Sequence, residues 1–216
     1  MTKKALKICL TCFASFLILV FAFGPREPVR LGTGHDKIMI GNDIDAYLAM
    51  CEGQFDDIID GVEKQVIWAG EANVKTPLSI IYLHGFTANS KEIRPVPDRV
   101  AAALGANLYF TRFTGHGRQP SALADADVGR WMDDVGEAIK IGKQIGETVI
   151  IMATSTGGTL AAAAALDKAA MEHIGGISFI SPNFAIYSRA AHLLTWSFAL
   201  PWRPLGIGAE QKGDPG

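Results

Sequence analysis

Short apolar runs alternate with amphipathic stretches along most of the chain, and this alternation predicts a layered α/β fold. Five runs of six or seven residues have the β-branched and aromatic character of buried strands. They lie at residues 62–68, 78–83, 107–112, 148–153 and 176–181. Because the runs are apolar along most of their length, they indicate a sheet that is covered on both faces.

Helical spacing of apolar positions fills the intervals between these strands. Asn42 or Asp43 can cap a short first helix. Three longer helices are expected at residues 90–104, 128–145 and 157–170. Strands and helices in this alternating order predict a parallel sheet with right-handed crossovers.

The first 24 residues differ from the rest of the chain. Three lysines precede an uncharged run of 16 residues from Ile8 to Phe23. This pattern predicts that residues 1–24 form a membrane anchor, with the lysines on the cytoplasmic side and the body on the outer or periplasmic side. The alternatives are a secretory signal, whose removal leaves a secreted or periplasmic protein, and a buried core helix.

Composition divides the remainder into three predicted parts. Residues 25–41 contain prolines and glycines and indicate a linker, whereas residues 42–189 carry the α/β pattern. Residues 190–216 form an apolar segment followed by a tail of glycine and proline. The whole chain has 216 residues, 49% of them hydrophobic, which excludes a disordered or collagen-like protein.

Charge and cysteine content narrow the function further. The net charge of the chain is −2, and its first 24 residues contain three lysines and no acidic residue, so the rest of the chain is acidic. An acidic body lacks the basic surface that binds nucleic acid. Only Cys51 of the three cysteines lies outside the apolar run, so no internal disulfide is expected. No nucleotide-binding motif occurs, and we expect neither a cofactor nor a metal.

The sharpest chemical signal is a serine between small residues, directly after a buried strand. Residues 153–158 read Ala-Thr-Ser-Thr-Gly-Gly and open a helix of small side chains. A serine in such a tight turn projects its hydroxyl above the sheet, and the amino terminus of the helix favours negative charge there. The same pattern alone also fits a helix cap or a phosphate-binding turn.

Two further motifs follow earlier strands. Residues 84–87 read His-Gly-Phe-Thr, and residues 112–117 read Arg-Phe-Thr-Gly-His-Gly. In this order and spacing, the three motifs resemble the α/β-hydrolase family, and within it the serine esterase, lipase and acylglycerol-hydrolase-like branch. The resemblance covers about residues 62–184.

The resemblance implies a mostly parallel sheet with helices on both faces, and a hydrolase of carboxylic esters, including lipid-like acyl esters. It implies that Ser155 is the nucleophile of an acyl-enzyme mechanism, and that the backbone N–H groups of Phe86 and Thr156 form the oxyanion hole. The resemblance implies an acyl ester substrate as a partner, and the pattern of residues 1–24 predicts a membrane as a second partner. Residues 190–216 then resemble the start of a cap over the site.

The acid and the base of the family's catalytic triad have no counterpart that we can name. In this fold both follow later strands than the serine, and only 35 residues follow Ser181. We therefore expect a chain that is incomplete at its carboxyl end, with His84 and His116 structural and His192 in cap-like sequence. The alternative is a non-catalytic α/β-hydrolase-like protein that binds a ligand or partner.

Overall fold

The computed structural model describes residues 3–23, 30–34 and 37–185. These residues fall into two units, one containing helix α1 (Lys3–Phe23) and the other containing the α/β body up to residue 184. The predicted cap at residues 190–216, including His192, lies outside the described residues, as does part of the predicted linker. The predicted domain boundaries stay predictions.

The amino-terminal segment forms helix α1, but the prediction that it anchors the chain in a membrane is wrong. In the described ranges, no helix is both long and apolar enough to cross a bilayer. The lysines lie inside the helix rather than before it, so its uncharged part begins at Ile8. At 1.5 Å per residue, the 16 residues to Phe23 reach about 24 Å, which is less than a hydrocarbon core of about 30 Å.

Five strands of the body form one sheet, which confirms the predicted fold class. They are β1 (Gln65–Ile67), β2 (Thr76–Leu83), β3 (Asn107–Phe110), β4 (Gly146–Thr154) and β5 (Ile174–Ile180). Their order across the sheet is β1-β3-β2-β4-β5, with β1 antiparallel to β3 and every other pair parallel. Leu83 pairs with Ala153, so the carboxyl ends of β2 and β4 lie side by side.

The described residues of the body include four α-helices; the first precedes β1, and the other three connect β2 to β3, β3 to β4 and β4 to β5. They are α2 (Ile44–Glu52), α3 (Val96–Leu104), α4 (Val128–Ile145) and α5 (Ser155–Ala164). Asp43 caps α2 as predicted, because its carboxylate accepts a hydrogen bond of 3.0 Å from the Ala46 N–H. Helix α3 is shorter than the predicted range 90–104, since a helix beginning at Ser90 would hold Pro95 and Pro97 in its interior.

Two apolar clusters cover the two faces of the sheet. On one face, α4 and α5 pack over strand residues that include Ile81 and Leu83. On the other face, α3 covers residues that include Ile80 and Tyr82. Consecutive residues of β2 thus point into opposite cores, which explains why the strand is apolar without alternation.

A buried network of charged side chains ties α2 and α4 to the segments around β1 and β3. The Arg112 guanidinium donates two hydrogen bonds to Glu52, of 2.8 and 2.7 Å, and both side chains are at most 10% exposed. Lys64 forms ion pairs with Glu137 and, at 3.7 Å, with Asp134. Buried charges are stable only when paired in this way.

Arg112→Ala is expected to lower the free energy of unfolding by about 3 to 5 kcal/mol, because it leaves the Glu52 carboxylate buried without its partner. The matched control is Arg30→Ala, which removes the exposed Arg30–Asp133 pair and should cost much less, because solvent screens an exposed ion pair. Urea unfolding of both variants measures the difference. Equal losses would contradict the buried pair's structural role.

Candidate active site

Ser155 stands at the junction between β4 and α5. Strand β4 ends at Thr154 and α5 begins at Ser155, whose φ is +48°. This left-handed backbone is unfavourable for a residue with a β-carbon, and it persists only where the surrounding packing imposes it. The serine therefore occupies the strand-to-helix turn that its sequence context predicts.

Two glycines allow this turn to lie close against the sheet. A β-carbon on Gly157 would lie 2.6 Å from the carbonyl oxygen of His84, and closer still to that of Leu83. A β-carbon on Gly158 would lie 3.0 Å from the β-carbon of Pro182. The absence of side chains here lets the start of α5 pack directly on the end of β2.

The loop after β2 passes beside the serine. A β-carbon on Gly85 would lie 3.2 Å from the β-carbon of Ser155. Among the described residues, no protein acceptor takes the N–H of Phe86, the next residue. The N–H of Thr156 belongs to the first turn of α5, where N–H groups lack acceptors within the helix. Two backbone donors thus belong to the segments that meet at Ser155.

The exit from β5 also contacts the turn. The Asn183 N–H donates a hydrogen bond of 3.1 Å to the carbonyl oxygen of Ser155. The Thr159 hydroxyl of α5 donates one of 2.6 Å to the carbonyl oxygen of Asn183. The residues after β5, which is the edge strand next to β4, therefore bind the beginning of α5.

His84 uses both ring nitrogens within the protein framework. The Phe113 N–H donates to Nε2 at 3.1 Å, so the ring proton lies on Nδ1, which donates to the Gly85 carbonyl oxygen at 2.8 Å. Complete burial lowers the pKa of His84 to about 3, with a smaller contribution from neighbouring His116. A neutral His84 therefore braces the loop on which Phe86 lies.

His116 makes the same kind of link. The Thr87 N–H donates to Nε2 at 3.1 Å, and Nδ1 donates to the carbonyl oxygen of Thr114 at 3.3 Å. Burial lowers the pKa of His116 as well. Both histidines connect the loop after β2 with the loop after β3, which is the structural role that the resemblance implies for them.

Glu92 is a residue of the site that sequence reasoning missed. It follows the loop after β2, and its Oε2 accepts hydrogen bonds from the Gly85 N–H at 2.9 Å and from the Tyr82 hydroxyl at 2.8 Å. An exposed glutamate in a turn carries no motif, so the sequence gives no signal for this contact. Only the fold brings its carboxylate to the end of β2.

A cavity of about 260 Å³ lies apart from Ser155, over the buried charged network. Its walls include Glu52, Lys64, Arg112 and Asp134. These side chains already pair with one another or with Glu137. The cavity is therefore part of that structural network.

Comparisons with known proteins agree with this fold. The sequence matches the family Hydrolase_4 (serine aminopeptidase, S33) over residues 75–214, which is more than half of the chain. A thermostable monoacylglycerol lipase from Bacillus sp. (strain H-257) is 30% identical over 84 residues, covering 39% of this chain and 33% of the lipase. A solved structure of metagenome-derived lipolytic enzymes, LipS and LipT, matches with a TM-score of 0.55 and 24% identity, covering 63% of this chain and 52% of that one.

The chain belongs to the Hydrolase_4 family of α/β hydrolases. This confirms the predicted fold class and the esterase or lipase-like branch of hydrolases. The chain spans about a third of the curated lipase and about half of the solved structure. The roles of Ser155, Phe86 and Thr156 in catalysis stay predictions.

Gly157→Ala is expected to lower the free energy of unfolding by about 3 kcal/mol or more, because its methyl group would overlap two backbone carbonyl oxygens. Gly176→Ala in β5 is the control, since a β-carbon there meets nothing within 4 Å. Thermal and urea unfolding compare the two. A Gly157→Ala variant as stable as Gly176→Ala would show that α5 does not press on β2 in this way.

Proposed function

We propose that this protein hydrolyses carboxylic esters, including lipid-like acyl esters, through an acyl-enzyme intermediate on Ser155. The observation that carries the proposal is the left-handed Ser155 at the β4–α5 turn, with the Gly85 loop in van der Waals proximity. The lipase and the lipolytic enzymes to which the chain is similar support an ester of lipid-like character.

In the proposed first step, the Ser155 Oγ attacks the ester carbonyl carbon, and its proton passes to a general base. The carbonyl oxygen becomes an oxyanion that accepts hydrogen bonds from the N–H groups of Phe86 and Thr156. The bond to the alcohol oxygen then breaks, and the alcohol leaves with a proton from the base. Water subsequently attacks the acyl-enzyme, which releases the carboxylic acid and regenerates Ser155.

Electrostatics favour this charge distribution. The first turn of α5 directs its unsatisfied N–H groups and the positive end of its dipole toward the position of Ser155. Loss of one such backbone donor typically costs about 3 kcal/mol of transition-state stabilisation.

The proposal requires a general base from outside the described residues. Both ring nitrogens of His84 and of His116 bind the backbone. His173 directly precedes β5, at the amino end of a strand parallel to β4, whereas Ser155 follows the carboxyl end of β4. Without a base, a serine hydroxyl is a weak nucleophile.

A second candidate is a non-catalytic member of the family that binds an ester-like ligand or a partner. It is favoured by the engagement of His84 and His116, which leaves the described part of the chain without a histidine to activate Ser155. Such a protein would keep the turn and the two donors but lack turnover. The two candidate functions differ in whether the Ser155 hydroxyl is activated as a nucleophile.

We expect a fluorophosphonate probe to modify the full chain stoichiometrically at Ser155. An activated serine forms a bond to phosphorus, fluoride leaves, and the phosphoryl oxygen accepts hydrogen bonds from the two N–H groups. Intact-mass and peptide mass spectrometry measure the extent and the site. Ser155→Ala should abolish labelling.

Ser181→Ala is the matched control for this experiment. Ser181 also follows a parallel strand and also has a positive φ, of +46°, but no family motif surrounds it. Labelling should therefore persist in this variant. A folded wild-type chain that takes up no probe would exclude the enzyme and leave the binding protein.

A further inference from the structure

Glu92 connects the two segments that meet at Ser155. Its Oε2 accepts one hydrogen bond from the Gly85 N–H, at 2.9 Å, and one from the Tyr82 hydroxyl, at 2.8 Å. Its Oε1 would lie 2.8 Å from a β-carbon on Gly85, so the carboxylate packs against this glycine. The contact adds a reason for glycine at this position besides the proximity of Ser155.

The first of these bonds fixes the backbone that carries the proposed oxyanion donor. The Gly85 N–H is held by Glu92, and the Gly85 carbonyl oxygen accepts from His84 Nδ1 at 2.8 Å and from the Ala88 N–H at 3.2 Å. The peptide units on both sides of Gly85 are therefore anchored. Because the second unit contains the Phe86 N–H, its direction depends on both anchors.

The second bond reaches the turn that carries Ser155. The Tyr82 oxygen lies 3.1 Å from the Thr154 hydroxyl oxygen. Since the single phenolic proton of Tyr82 goes to the carboxylate, Thr154 donates in this contact. A continuous chain of hydrogen bonds thus runs from Gly85 through Glu92 and Tyr82 to the residue before Ser155.

We infer that Glu92 is a positioning residue, which holds the Gly85–Phe86 peptide in the orientation of an oxyanion donor and in register with the turn at Ser155. The inference rests on the proposed function. Carboxylate acceptors form the stronger class of hydrogen bond, which suits a group that must hold a loop glycine in one conformation. Glu92 acts through its hydrogen bonds to Gly85 and Tyr82 and not by contact with the substrate.

The test measures saturable fluorophosphonate labelling of the full chain, separating the maximal rate kinact from the binding constant KI. Glu92→Ala should lower kinact about 10- to 100-fold and leave KI within about twofold, because misplacing a donor costs rate rather than ground-state binding. Glu92→Gln should restore most of kinact, since its amide oxygen can accept both hydrogen bonds.

Two further variants make the result specific. Glu147→Ala removes an exposed carboxylate at the amino end of β4 and should change neither constant. Tyr82→Phe removes the hydroxyl's bonds to Glu92 and to Thr154 but leaves the bond from the Gly85 N–H to Glu92, and it should lower kinact by less than Glu92→Ala does. Thermal melting followed by circular dichroism shows whether each variant folds. If Glu92→Ala does not fold, the kinact values of Tyr82→Phe and Glu92→Gln test the positioning role.

The outcomes separate this inference from the proposed function. A wild-type chain without labelling would overturn both. A labelled wild type with unchanged kinact in Glu92→Ala would overturn only the positioning role, as would a change confined to KI. An equal loss of kinact in Glu92→Gln and Glu92→Ala would show that charge, rather than the two hydrogen bonds, is what matters.

Discussion

The close contact between Gly157 and the carbonyl oxygens at the end of β2 is the constraint on which the site depends. Glycine has no β-carbon to collide with these oxygens, so α5 can begin immediately after β4 and lie against the neighbouring strand. That packing forces Ser155 into the left-handed backbone and brings the Gly85 loop beside it. The parallel pairing of β2 with β4 makes the contact possible, since it places both carboxyl ends at one edge of the sheet.

Three polar side chains near this contact are hydrogen-bonded within the protein and brace the loops after β2 and β3. His84 and His116 bind backbone atoms through both nitrogens, and Glu92 binds Gly85 and Tyr82. Beneath the loop after β3, Asp134 accepts from the Thr114 N–H at 2.7 Å and Arg112 pairs with Glu52. The buried network therefore supports the same loop from which His116 reaches Thr87.

Much of the fold follows from local sequence, because the strands are continuous apolar runs and the helices have recognisable caps. Helix α4 is predicted at the residues where it occurs, and Asp43 caps α2 as its position indicates. Helix α3 is predicted too long because helical spacing outweighed Pro95 and Pro97. The membrane anchor is predicted wrongly because lysines within the helix were counted as flanking residues.

The site is only partly readable from the sequence. Small residues around Ser155 mark the turn because tight packing demands them locally, and Gly85 and Phe86 follow a strand in a recognisable motif. Glu92 escapes such reasoning because its role depends on a long-range meeting of a turn with the end of a strand. The pairing of His84 with the Phe113 N–H escapes it for the same reason.

We propose that Phe86 and Thr156 direct their N–H groups at the same oxygen of a group attached to Ser155 Oγ. A crystal structure of the chain phosphonylated at Ser155 tests this directly. We expect a phosphonyl oxygen at about 2.7 to 3.1 Å from both nitrogens. A phosphonyl oxygen in contact with neither nitrogen would contradict the proposed oxyanion hole.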